Sequence, residues 1–133
     1  MISLLIVLGL SGCASLRMPA PTAACSRVQA LDMAKLAAAV VGGEVIAVEA
    51  TGSMRPVLDG NALLVIEAAP WADLRRGDLV VYRSARGHLV VHRLVSMCFG
   101  AWSVAGDANG WMDAEEVSPK NFKGRVCAVF YSK

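Results

Sequence analysis

The sequence has few metal ligands, little charge imbalance and no long hydrophobic run, and each shortage closes off a class of function. It has only two histidines and four cysteines. No Cys-x-x-Cys pair and no zinc-type spacing is present, so neither a metal nor a cofactor is expected. Thirteen basic residues stand against eleven acidic ones, a net charge of +2, which is too even for a nucleic-acid binder. The densest basic cluster, Arg83, Arg86 and Arg93 with His88 and His92, lacks interleaved aromatics and reads as a solvated face. No internal repeat or low-complexity tract occurs. With 56% apolar and 18% charged residues in 133, the chain is too apolar for disorder and long enough for one domain with a core.

The longest uncharged run, from Ile2 to Leu16, is about fifteen residues, short of the roughly twenty that a helix needs to cross a bilayer. It fits the hydrophobic part of an export signal better, although no Lys or Arg precedes it. Leu10-Ser11-Gly12-Cys13 resembles a bacterial lipobox, which implies cleavage before Cys13 and lipid on its thiol. A clipped transmembrane anchor is the alternative. Either way the domain is expected on the extracytoplasmic side, held to a membrane through its N-terminus. The expected division is a signal segment over 1–12, a Pro/Ala linker over 13–25 and a domain over 26–133. Cys25, Cys98 and Cys127 then allow one bridge and one leftover. A Cys98–Cys127 bridge is favoured because both lie in expected strands; buried free thiols are the alternative.

Ser26 with Gln29 three residues on is a capping-box pattern, and it predicts a helix over Arg27–Val41 that ends at Gly42-Gly43. Charges on this helix are sparse, so most of its surface is expected to be covered by protein. Beyond Gly43 the texture changes to short β-branched runs between turns. Strands are expected over 44–50, 61–69, 79–83, 88–97, 101–106 and 124–131, with a helical turn at Ala114–Val117. One helix followed by about six strands predicts a mainly β fold, a small curled antiparallel sheet or partly open barrel.

The stretch Thr51-Gly52-Ser53-Met54-Arg55-Pro56 reads either as an ordinary surface turn or as a rigid corner carrying a nucleophile. A serine nucleophile requires a base, a group that orients the base, and oxyanion donors. The histidines are four apart on one expected strand, so they share a face with Val90 and Leu94. A histidine in that setting is more often simply part of the core. No lysine lies on the strands nearby; Lys35 is on the helix and Lys120, Lys123 and Lys133 are near the far end.

Taken in order, "TGSMRPVL", "RRGDLVVYR", "LVVHRLV" and "GDANGWMD" resemble the motif boxes of the type I signal peptidases. The endoplasmic-reticulum and archaeal branch, whose base is histidine, is the closer match, and the similarity runs from residue 44 to about 131. The resemblance implies the curled sheet of the signal peptidase and LexA group. It makes Ser53 the nucleophile and His92 the general base. The acid lies in the loop that begins Gly106-Asp107, which holds two candidates, Asp107 and Asp113. The spacing matches Asp113 to the orienting acid, with Asp107 as a supporting carboxylate or a plain turn residue, and the sequence alone leaves the choice between them open. The Ser53 N–H and the Thr51 hydroxyl become the oxyanion donors. The expected activity is a membrane-associated serine endopeptidase that binds an extended polypeptide as an added strand and cuts after small residues, as in secretory or prepilin-like precursors. A lipid anchor suits a dedicated processing enzyme with few substrates. The alternative is an inactive lipid-anchored β domain that binds a partner protein. A self-cleaving switch of the LexA kind requires a lysine base and an upstream cleavable Ala-Gly or Cys-Gly, and neither is present.

Overall fold

The computed structural model describes residues 19–133. The signal segment, the lipobox with Cys13 and the first part of the linker lie outside the described residues. No helix among the described residues is long and apolar enough to cross a membrane.

The helix α1 spans Arg27–Val41. The capping box forms as the sequence predicts: Gln29 N–H donates to Ser26 Oγ at 3.3 Å and Ser26 N–H to Gln29 Oε1 at 2.9 Å. Seven strands follow: β1 Glu44–Ala47, β2 Ala62–Glu67, β3 Leu79–Arg83, β4 Leu89–Cys98, β5 Ala101–Ala105, β6 Glu116–Val117 and β7 Phe122–Tyr131. A single 3-10 turn, Trp71–Asp73, sits between β2 and β3. All pairings are antiparallel, in the order β1-β2-β7-β3-β4-β5-β6, and the sheet curls into a half-barrel. The mainly β fold with one preceding helix is as expected.

Two local expectations fail. The residues taken for a helical turn at Ala114–Val117 contain β6 instead, with Trp102 opposite Val117 and Ser103 opposite Glu116. Val117 is fully buried in the core, and burying that β-branched side chain against β5 outweighs any local helical preference. Nor does protein cover most of α1. Its buried residues are Ala30, Ala34 and Ala38, whereas Leu36 is 71% and Val40 86% exposed. The helix turns its smallest side chains inward and its larger apolar ones outward. Alanine lets the backbone approach the sheet closely, so a shallow face suffices to dock it.

Three apolar clusters make up the core. Ala30, Ala34 and Ala38 pack on Leu63 and Val65. Met54 and Leu58 pack on Ala62, Leu64, Ile66 and Val81. The third gathers Leu74, Val80, Tyr82, Leu94, Trp102, Val104 and Val117. Alternation along β2 explains the first two: Leu63 and Val65 point to the helix, Leu64 and Ile66 to the segment that carries Ser53.

Ala34→Leu is expected to force α1 off the sheet and to lower unfolding stability by about 1–3 kcal/mol. Leu36→Lys on the outer face is expected to stay within about 0.5 kcal/mol of wild type. Chemical denaturation of both variants checks the pair.

Candidate active site

Ser53 sits on a corner between β1 and β2. Gly52 takes φ of +79°, a left-handed conformation that a side chain would oppose. Arg55 N–H donates to the Gly52 carbonyl at 3.2 Å and Leu58 N–H to the Met54 carbonyl at 2.9 Å. Met54 and Leu58 are buried and root the corner in the core. The Tyr131 hydroxyl donates to the Val57 carbonyl at 2.8 Å from beneath. Arg55 pairs with Asp59, Nε to Oδ2 at 2.7 Å. The backbone N–H of Gly60 and then the Arg55 guanidinium hold the Asp59 carboxyl below its ordinary value.

His92 lies on β4 opposite Val80, and it is buried. Its Nε2 is 3.3 Å from Ser53 Oγ, and its Nδ1 is hydrogen-bonded to Asp113 Oδ2. Asp113 arrives on the irregular loop after β5, where its N–H donates to the Val104 carbonyl at 2.8 Å. The expected serine, histidine and aspartate are thus linked in one chain of hydrogen bonds. Thr51 Oγ1 stands 3.3 Å from Ser53 Oγ. Among the described residues no acceptor takes the Ser53 N–H, which leaves it available as a donor.

Of the two candidate carboxylates, Asp113 reaches the histidine and Asp107 does not. Asp107 is gripped by Arg93 in a bidentate pair, Nε to Oδ1 and Nη2 to Oδ2, both at 2.7 Å. Arg93 Nη1 also donates to the Gly77 carbonyl at 2.7 Å. The basic cluster is therefore not wholly a solvated face. Arg93 is tied to the loop and His92 is buried, while Arg83, Arg86 and His88 remain exposed. Trp111 and Met112, next to Asp113 in the chain, are exposed, and the carboxylate meets Tyr82 and His92.

Tyr82 is the residue that sequence reading missed. On β3 it faces Val90, two pairs along from Val80 and His92, so it is a diagonal neighbour of the histidine on the same face. Its hydroxyl donates to Asp113 Oδ2 at 3.1 Å. Burial first, and the Asp113 charge second, push the Tyr82 phenol well above its ordinary value. The alternation in "LVVYR" assigns its face, but only the β3–β4 register reveals what it meets.

The loop after β5 clamps the corner. Ala108 N–H donates to the Ser53 carbonyl at 2.9 Å. At Gly106 a Cβ would stand 2.5 Å from that carbonyl oxygen and 3.1 Å from His92 Nε2. An open groove of about 300 Å³ runs beside Ser53, between Ile46–Glu49 and Thr51–Met54 on one side and His88–Val91 on the other. Its floor includes Leu58, Leu64 and Val81. β5 pairs with β4 only from Arg93 onward, so Leu89–His92 have a free edge toward the groove.

Among the described residues no group of three or more His, Cys, Asp or Glu is placed to hold a metal. The favoured Cys98–Cys127 bridge does not form; Cys25, Cys98 and Cys127 are all free. β3 lies between β4 and β7 in the sheet, which holds these two strands apart. Neither of the two is a buried thiol; both are exposed. No protein-family model matches the chain, and no curated protein matches it. The chemistry of the site therefore rests on its own geometry.

Gly106→Ala is expected to drive the loop off the corner and to cost about 1–3 kcal/mol of stability, read by denaturant unfolding.

Proposed function

We propose that this chain is a membrane-associated serine endopeptidase related to the type I signal peptidases of the histidine-base branch. The observation that carries the reading is the linked set Ser53 Oγ, His92 Nε2, His92 Nδ1 and Asp113 Oδ2 beside an open groove. His92 accepts the Ser53 proton as Oγ attacks the scissile carbonyl. Asp113 holds the Nδ1–H tautomer and stabilises the imidazolium. The collapse of the tetrahedral intermediate passes that proton to the leaving amine. Water then hydrolyses the acyl-enzyme with His92 again as base. The separation of 3.3 Å between Oγ and Nε2 is long for proton transfer, as is common before substrate closes the site. The Ser53 N–H and the Thr51 hydroxyl face the developing oxyanion.

The substrate lies extended in the groove and pairs with the free edge at Leu89–Val91 as an added strand. The apolar lining formed by Ile46, Val48, Leu64 and Val91 favours small uncharged side chains before the cut. Asp107 acts through the frame: its pair with Arg93 fastens the loop that carries Gly106 and Asp113. Cys13, where the lipobox resemblance holds, tethers the enzyme to the outer face of a membrane beside exported substrates. A dedicated processing role for few precursors suits that tether.

The second reading is an inactive lipid-anchored domain that binds a partner protein, and the exposed Leu36 and Val40 on α1 favour it. A fluorophosphonate probe separates the two. On the peptidase reading, wild type is labelled and Ser53→Ala is not; absence of labelling in the folded wild type leaves the binding domain. On an internally quenched extended peptide with alanine before the cut, Asp113→Asn is expected to lower kcat by about a thousandfold or more. Asp107→Asn is expected to change kcat by less than about tenfold and to cost about 1 kcal/mol of stability, since Arg93 is partly exposed. The reverse ranking of the two aspartates sinks the assignment.

A further inference from the structure

Asp113 Oδ2 receives two donors at once, the imidazole Nδ1–H of His92 and the hydroxyl of Tyr82. The Tyr82 side chain is almost wholly buried. Its ring meets the imidazole edge-on, with centroids 6.4 Å apart. The phenol therefore borders the base while its hydroxyl reaches the acid. Tyr82 belongs to the apolar cluster that includes Leu74, Val80, Leu94 and Val104. A hydroxyl held on so fixed a ring is a donor of fixed direction. The carboxylate is attached through a loop without regular structure, and among the described residues only the Asp113 N–H bond to the Val104 carbonyl secures its backbone.

We propose that Tyr82 is a positioning residue of the active site: its hydroxyl locks the Asp113 carboxylate in the one orientation that serves His92, and it draws off part of the charge that Asp113 offers to the imidazole. The inference rests on the peptidase reading and extends the hydrogen-bonded chain from three members to four. Because burial and the neighbouring carboxylate keep the phenol protonated, Tyr82 donates throughout the neutral range and never competes for the serine proton. The cost of leaving a buried hydroxyl unpaired is also avoided, since Asp113 is the partner it has.

Two opposing consequences follow from removing the hydroxyl. The carboxylate becomes free to turn about its Cβ–Cγ bond, so the base is oriented for less of the time. The full carboxylate charge also falls on the imidazolium, which favours the protonated base. Tyr82→Phe keeps the ring and deletes only the donor. It is expected to lower kcat about tenfold, the usual worth of a hydrogen bond to a charged group, with KM unchanged. The acid limb of the kcat/KM profile is expected to move to higher pH. In the NMR spectrum of the substrate-free protein, the His92 Nδ1 proton is expected to move downfield. With only two histidines in the chain, its assignment needs only comparison with His88→Gln.

Coupling distinguishes positioning from packing. In an Asp113→Asn background, Tyr82→Phe is expected to have no further effect on kcat. A full tenfold loss persisting in that background overturns the proposal, as does an unchanged kcat with an unmoved Nδ1 proton. Should Tyr82→Phe fail to fold, 3-fluorotyrosine incorporation in a Tyr131→Phe background modifies Tyr82 alone, since the chain has two tyrosines. The fluorinated phenol is a stronger donor and is expected to move the Nδ1 proton upfield; no movement overturns the proposal. The NMR arm requires no substrate. A moved proton in a protein without peptidase activity sinks the enzyme reading and keeps the Tyr82 linkage, and active enzyme with an unmoved proton does the reverse.

Discussion

The site depends on a close approach between two pieces of backbone far apart in the chain. The loop after β5 comes near enough to the Ser53 corner for Ala108 N–H to bond the Ser53 carbonyl, and near enough that Gly106 has no room for a side chain. That approach sets where Ser53 stands relative to β4. Without it Ser53 is a serine in a surface turn and His92 is a core histidine. The geometry of the candidate site is thus carried by one glycine and one backbone hydrogen bond, with the buried side chains of Met54 and Leu58 bracing the corner from below.

Charge is arranged around this contact with a division of labour. Two aspartates share one loop, and each is met by a different group on β4. Arg93 takes Asp107 in a bidentate pair, while the adjacent His92 takes Asp113. Neighbouring residues on a strand point to opposite faces, so the arginine and the histidine draw the two carboxylates to different sides. An always-charged guanidinium suits a permanent fastening. An imidazole suits a proton that has to move. Tyr82 joins on the histidine side because β3 and β4 are in the register that puts it diagonal to His92.

The fold is largely legible in the sequence. The capping box at Ser26 and Gln29 starts the helix, and the β-branched runs separated by turns mark most of the strands. The failures have a common cause. β6 is two residues long, too short to carry an alternating pattern, and it exists because Val117 is buried beside Trp102. The outer face of α1 misleads because few charges on a helix suggest that protein covers it, whereas alanine alone suffices to dock it. The cysteine pairing depends on strand order, which local sequence does not specify.

For the site, the residue types and their order along the chain came from the sequence itself: a serine on a glycine-proline corner, a histidine on an apolar strand, and two carboxylates in a later loop. Which carboxylate faces the histidine was decided only by tertiary structure, because an irregular loop has no period from which a direction can be read, and because Arg93 captures the nearer aspartate. Tyr82 was likewise invisible as part of the site. Its face follows from alternation along β3, but its partner depends on the pairing register between strands, a long-range property set by how the whole core packs.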